Sequence, residues 1–434
     1  MSNEQNAVSH DDYALEPVPA SARRGLVSMS TVMLGFTFFA ASMWTGGTLG
    51  MGFRLFPDLI LVVLFGNLIL GVYGAFLGYA AAKTNLSTHI LARYAFGIHG
   101  SKLPSFMLAF TQIGWFGVGV AMFAYPINKF TGMGVTPLII IGGIFMTATV
   151  VIGMKAIEWI SKIAVPAIIL LGLMSVGKAI IDAGGIQPLL AVQPQGDAKL
   201  TVAVGTALAV GSFISGATLT PDFVRFAKTK QIGVQATVVG FTFGNSLMFL
   251  FGAIGAIATG LSDISEVLAA QGLLGAGIAL LALNIWTTND NALYASGLGL
   301  ANITGLKRTH LTIVAGAIGT VFSIFLYNNF VGWLVFLSVS LPPIGGIIIG
   351  DFYLRHKRNY AAPTQYRFKS VNWAAMIAWV LAIGVSKLSP ESGLLSIAPL
   401  NAILTAIVVH VFADKLIYGE KNLEPISTQA VEVD

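Results

Sequence analysis

Asn284, Thr287, Thr288 and Asn291 are spaced i, i+3, i+4 and i+7, so on a helix they form a single polar stripe. They sit in Leu283-Asn-Ile-Trp-Thr-Thr-Asn-Asp-Asn-Ala-Leu-Tyr, inside an otherwise apolar stretch. The unbroken polar run from Thr287 to Asn291 is costly there unless it faces a cavity or an ion. Hydroxyl and carbonyl oxygens are hard ligands suited to Na⁺. Carbonyls released by an unwound helix can complete the shell without a carboxylate. Hydrogen bonding between helices accounts for one or two such residues but not for the whole run. Asp290 needs a partner that the sequence does not name, so it is left out of the solute site.

A second constellation is Gln112, Trp115 and Gly119, at i, i+3 and i+7 of Thr111-Gln-Ile-Gly-Trp-Phe-Gly-Val-Gly. Glutamine donates and accepts without charge, tryptophan offers a wide π surface, and glycine leaves room beside both. A planar heteroaromatic solute needs stacking for its faces and amides for its edge, and stacking of a base on an aromatic ring contributes on the order of 1–3 kcal/mol. A tryptophan packed at a helix contact is the competing account. Phe213 can supply an opposing ring and Ser215 an edge contact, although a membrane phenylalanine more often fills core.

Two stretches are expected to carry these groups on broken helices. One is Gly211-Ser-Phe-Ile-Ser-Gly-Ala-Thr-Leu-Thr-Pro-Asp-Phe-Val-Arg-Phe, whose glycines and Pro221 disfavour continuous helix. The other is Gly35-Phe-Thr-Phe-Phe-Ala-Ala-Ser-Met-Trp-Thr-Gly-Gly. A membrane helix breaks only where the freed backbone is buried in protein or lines a wet cavity. Interrupted spans at matching places in two halves point to a transporter site near the bilayer midplane.

The elements that position these residues are membrane spans. Of the 434 residues 55% are hydrophobic and only 10% charged, against about 25% charged in a soluble domain. There is no cysteine, which excludes disulfides and thiolate chemistry. The first 25 residues are polar, with no signal-peptide core. Apolar runs of about 20 residues give twelve spans, over residues 27–50, 56–82, 104–127, 137–155, 159–181, 201–225, 232–259, 271–300, 310–327, 331–353, 371–386 and 394–413. With both termini on the cytoplasmic side, 19 of the 24 Lys and Arg fall on that side and 5 on the other. That asymmetry is what the positive-inside rule requires of an even number of spans.

Repetition follows. Gly66-Asn67 with Gly74-Ala75 in span 2 recurs as Gly244-Asn245 with Gly252-Ala253 in span 7, an offset of 178, and Gly35 and Gly211 stand 176 apart. An offset of five spans turns the second copy upside down, giving an inverted repeat with two helices appended. Chance recurrence in a chain of 49 glycines is the alternative. The organisation read here is a cytoplasmic tail over 1–25, a first repeat over 26–181, a second over 201–353, two further helices over 371–413, and a cytoplasmic tail over 414–434.

Asp222 and Arg225 suggest an ion pair or gate contact at the end of span 6, and Leu341-Pro-Pro-Ile-Gly-Gly a hinge or static kink in span 10. The six histidines show no ligand spacing, and no nucleophile elbow, P-loop, zinc or dinucleotide motif is present. Nothing argues for an enzyme or for nucleic-acid binding.

The stretches ASMWTGGTLG, TQIGWFGVGVAMFA, GSFISGATLTPDFVRF, LNIWTTNDNALYASGLG and LYNNFVGW resemble members of the nucleobase–cation symporter family, over about Pro17 to Asn401. The resemblance implies an all-α membrane protein of the leucine-transporter fold. Its twelve helices form a 5+5 inverted repeat plus two, with helices 1 and 6 broken. It implies a monomer in the bacterial inner membrane that imports cytosine by sodium symport. Other family members implied as alternatives carry other nucleobases, hydantoins or allantoin, or couple to protons. Carried over by position, Trp115 and Phe213 would sandwich the base. Gln112, Ser215 and Asn284 would bond its edge, with backbone near Ser212. Na⁺ would be held by the carbonyls of Gly35, Phe38 and Asn284 and the hydroxyls of Thr287 and Thr288.

Overall fold

Helix after helix follows from the apolar runs, because backbone groups inside a bilayer can be satisfied only within the segment or in a closed barrel. The structure, a computed structural model, describes residues 13–152, 154–194, 199–390 and 395–419. Both proposed tails therefore lie partly outside the described residues, as does the first residue of the span at 394–413.

The helices used below are α1 (Leu26–Thr37), α2 (Ala40–Gly52), α3 (Leu55–Thr84), α4 (Thr88–Phe96), α5 (Lys102–Thr131), α6 (Val135–Val150), α7 (Met154–Asp182), α8 (Ile186–Ala191), α9 (Val202–Thr218), α10 (Thr220–Val224), α11 (Lys230–Thr259), α12 (Ile264–Ala270), α13 (Leu274–Thr304), α14 (Arg308–Asn328), α15 (Phe330–Arg355), α16 (Trp373–Lys387) and α17 (Ala398–Tyr418). Each of the twelve expected spans coincides with one helix or with a helix pair. Seven helices are long and apolar enough to cross a membrane, and the α1/α2 pair, bent by 55°, makes an eighth. The 31-residue α13 and the shorter apolar α6, α9 and α16 supply the rest. Short amphipathic α4 connects spans 2 and 3, and its Ser87 cap accepts from Ile90 N–H.

The inverted repeat is visible in individual contacts. Asn245 Nδ2 donates to Asn67 Oδ1 at 2.6 Å. These residues are repeat equivalents, and equivalent residues can touch only at the axis relating the two copies. Asn67 Nδ2 in turn donates to the Val63 carbonyl at 3.0 Å, so both buried amide NH2 groups have partners in an apolar interior. Glycine allows the matching helix contacts. A Cβ on Gly252 would lie 1.8 Å from the Met43 carbonyl oxygen of α2, and one on its equivalent Gly74 would come to 3.2 Å from Thr220 Oγ1 of α10. In the first case the obstacle is backbone and cannot swing aside. Gly252→Ala should therefore cost about 1–3 kcal/mol through overpacking, seen as a lowered melting temperature of the purified protein.

Span 6 breaks later than its composition suggests. Residues 202–218 form one α-helix, and the interruption comes at Leu219 (φ −89°, ψ 5°), just before Pro221. Gly211 serves packing: a Cβ there would meet the Leu334 carbonyl oxygen of α15 at 2.6 Å. In span 10 the chain stays helical through Pro342 and Pro343. The Ser340 carbonyl beside them accepts from Trp379 Nε1 at 3.1 Å.

Candidate functional site

Between α1 and α2, Phe38 (φ −76°, ψ 86°) and Phe39 (φ −129°, ψ 135°) leave the helix. Aromatic residues beside a glycine are weak helix formers, and a serine side chain tightens the fit, since a Cβ on Gly35 would sit 2.2 Å from Ser161 Oγ of α7. The carbonyls of Gly35 and Phe38 are thereby turned toward α13. Thr288 Oγ1 lies 3.5 Å from Gly35 O, 3.4 Å from Phe38 O and 3.5 Å from Asn284 O. Thr287 Oγ1 donates to Asn284 O at 2.8 Å, and Asn284 Nδ2 donates to Phe38 O.

A hydroxyl carries one proton, so at most one of the three Thr288 contacts is a hydrogen bond, and all are long for one. The others are oxygens facing an oxygen. A hard cation held at about 2.4 Å by an octahedron of oxygens sets neighbouring ligands about 3.4 Å apart. The five residues expected around sodium thus lie together, with carbonyl and hydroxyl oxygens 2.8–3.5 Å apart and the Asn284 amide nitrogen among them. Oxygen-only donors suit hard cations rather than zinc or copper. Among the described residues no group of three His, Cys, Asp or Glu offers a rival site.

Against this cluster lies a narrow, nearly closed cleft of about 10 Å³, walled by Phe36, Phe39, Gln112, Trp115, Ser212, Phe213, Ser215, Gly216, Thr288, Asn289 and Ala292. Trp115 Nε1 donates to Ser215 Oγ at 3.0 Å, joining α5 to α9 across it. Trp115 meets Phe39 and Phe330 edge-on, with centroids at 5.8 and 6.2 Å, while Phe213 meets Phe36 at 5.1 Å. Gln112 is buried, and its Nε2 has no protein partner. Unpaired buried donors are expensive, so this amide is poised for a ligand.

Both approaches are covered. Towards one face, Trp44 stacks on Phe330 at 4.2 Å, and Tyr327 stacks on Tyr125 at 4.6 Å. Towards the other, Phe36 packs on Phe223 at 4.7 Å. Beyond it Asp222 accepts from Thr88 N at 2.8 Å and faces His89 Nε2 at 3.6 Å. Burial lowers the His89 pKa, although the Asp222 carboxylate acts against this. Arg225 does not reach the Asp222 carboxylate as the ion-pair reading supposes. Its Nε donates to the Asp222 carbonyl, Nη1 to Tyr13 O and Nη2 to Tyr294 Oη.

Comparison with known proteins decides the family. Residues 17–408 match the model described as permease for cytosine/purines, uracil, thiamine, allantoin. The chain belongs to this permease family. It is 52% identical to the cytosine permease of Escherichia coli K12, over 98% of this chain and 99% of that protein. It is 23% identical to the hydantoin permease of Microbacterium maritypicum, over 89% and 85%. The permease fold is similar to that of Mhp1, a nucleobase-cation-symport-1 family transporter solved closed with bromovinylhydantoin bound. The TM-score is 0.82 at 20% identity, covering 92% of this chain and 94% of that one. It is also similar to a Na⁺-coupled sialic acid symporter, with a TM-score of 0.70 at 13% identity, covering 95% and 93%. The permease thus has the leucine-transporter fold and is a transporter rather than an enzyme.

Within the permease, Gln112, Trp115, Ser212, Phe213 and Ser215 all line the cleft, whereas Asn284 and Thr287 stand in the oxygen cluster and outside the cleft wall. Thr288 belongs to both. Sequence reasoning missed Phe36, Phe39, Gly216, Asn289 and Ala292. Asn289 had a signal, as a member of the polar run. Its amide fills the room beside Gly119, where a Cβ would come within 2.0 Å of Asn289 Oδ1. The expected space next to Trp115 and Gln112 is therefore occupied by this side chain. Asp290 is buried against α6, where Thr149 Oγ1 lies 2.8 Å from its Oδ1.

Proposed function

We propose that this permease imports cytosine together with Na⁺ by alternating access. One observation carries the reading: Thr288 belongs at once to the oxygen cluster and to the wall of the aromatic cleft. A cation there fixes α1 to α13 and sets one side of the solute site. Binding either ligand thereby favours the geometry that binds the other, which is the differential affinity that coupling requires.

In this account the pyrimidine ring lies between Trp115 and Phe213. The Gln112 amide and the Ser215 hydroxyl, released from Trp115, bond its polar edge, with Ser212 and Asn289 beside them. Gly35, Phe38 and Asn284 give carbonyls, and Thr287 and Thr288 hydroxyls, to sodium. The outer lid at Trp44 and Phe330 opens to admit both, and the inner barrier at Phe36, Phe223 and Asp222 opens to release them. The full similarity to a cytosine permease supports the choice of base, and the oxygen-only donor set supports Na⁺ over a proton. The Lys and Arg asymmetry supports both termini cytoplasmic, and the similarity to an Escherichia coli permease supports a bacterial inner-membrane location.

Uptake into proteoliposomes tests this. Cytosine should accumulate when Na⁺ is outside and stop when choline replaces it at constant pH. Because a neutral base moves with one charge, an inside-negative potential should raise accumulation, with about 2.3 kcal/mol available per 100 mV. Unlabelled cytosine should compete with the label far better than uracil, hypoxanthine or hydantoins. Accumulation that persists in choline but collapses with the proton gradient would contradict the sodium assignment.

A further inference from the structure

A groove of about 570 Å³, remote from the cleft, runs between α3, α15 and α17. Leu68, Val72 and Phe76 of α3, Leu354 of α15 and Leu404 of α17 line it and are 45–55% exposed. It opens outward to the surroundings of the helix bundle, where hydrocarbon chains lie in a membrane protein. Arg358 also lines it, at one end, with its guanidinium 5.3 Å over the Tyr353 ring.

That end is a cationic cluster. Lys83 donates to the Arg358 carbonyl, Lys230 sits 5.6 Å over Tyr79, and the rings of Tyr79 and Tyr353 are 5.9 Å apart. Lys357 precedes Arg358, and both adopt left-handed backbone (φ 48° and 64°), rare for residues other than glycine. Arg358 N donates to Phe352 O at 2.7 Å and Asn359 N to His356 O at 2.8 Å, which fixes this turn. Lys83, Lys230, Lys357 and Arg358 are exposed, and none is ion-paired with a described carboxylate. The cluster lies on the face of both described ends, since Lys230 closely follows Ala227, which bridges Arg24, and Arg355 Nη2 donates to Gly419 O.

We propose that this groove is a binding site for an anionic phospholipid, with an acyl chain along the apolar wall and the phosphate on Arg358 and its neighbouring lysines. An apolar channel ending in unpaired cations matches an amphiphile with a negative head, and basic pockets between membrane helices bind such headgroups. Occupancy is relayed inward by Tyr73, which lines the groove. Its Oη is 2.8 Å from Thr218 Oγ1, next to the span 6 break, and donates to Pro342 O of span 10 at 3.4 Å. A bound lipid therefore biases span 6 at its break and span 10 at its prolines, two segments that pack against the transport site.

The test uses the full-length protein in phosphatidylcholine vesicles with and without phosphatidylglycerol. For the wild type, phosphatidylglycerol should raise the melting temperature and at least double the initial uptake rate. Arg358→Gln should lose most of both increments, and Leu404→Trp, which fills the groove, should do the same with every cation intact. Arg367→Gln, which removes an exposed charge outside the groove, should keep them. Full increments in Arg358→Gln, or equal losses in Arg358→Gln and Arg367→Gln, would overturn the site in favour of no lipid effect or of general surface attraction. The melting-temperature arm needs neither sodium nor cytosine, so it stands or falls separately from the proposed cargo.

Discussion

Trp115→Ala should sharply reduce cytosine uptake while leaving the protein folded. The indole contributes one face of the cleft, and base–aromatic stacking is worth on the order of 1–3 kcal/mol. Its Nε1–H is also the group that holds Ser215 in place across the cleft. Losing the ring removes the stack. An affinity loss of roughly 5- to 150-fold is expected, at 1.4 kcal/mol per factor of ten. Calorimetry on purified protein measures it, and a melting curve shows that the fold persists. Trp115→Phe, which keeps a smaller ring without the N–H, should fall between. Wild-type uptake by the alanine variant would contradict the stacking role.

Thr288→Ala should weaken sodium first and cytosine as a consequence. The variant loses one oxygen of five, and a hydroxyl contact to a charge contributes about 1.5–3 kcal/mol. Sodium affinity should fall roughly 10- to 150-fold. Cytosine binding should weaken at low sodium and recover as sodium is raised, because the coupling free energy is reciprocal. Thr287→Ala, whose hydroxyl is already engaged by Asn284 O at 2.8 Å, should show the smaller effect. Unaltered cytosine affinity at every sodium concentration in Thr288→Ala would break the proposed link.

Much of this architecture was legible because bilayer physics narrows the choices. Hydropathy placed twelve stretches that each coincide with a helix or a helix pair, and the Gly-Asn recurrence picked out two residues that touch, Asn67 and Asn245. The polar stripe of α13 pointed to Asn284, Thr287 and Thr288, whereas the Gly35 and Phe38 carbonyls came only from the family resemblance. What failed has a common physical cause. Gly211 and Gly216 disfavour helix by local propensity, yet tertiary contact turns them to another use, close approach to Leu334 and to the Phe36 and Phe213 rings. The helix therefore survives to Leu219. Phe36 and Phe39 look like ordinary membrane phenylalanines, and only the 55° bend aims them at the cleft. Asp290's partner, Thr149, lies 141 residues away on a helix with no charged residue to announce it.

The central claim is that one hydroxyl joins a cation to a base, and a two-ligand titration tests it most directly. Calorimetry with the wild-type protein should show the cytosine Kd falling as NaCl replaces choline chloride, and the sodium Kd falling by the same factor when cytosine is present. Cytosine binding of equal strength in sodium and in choline would contradict the account.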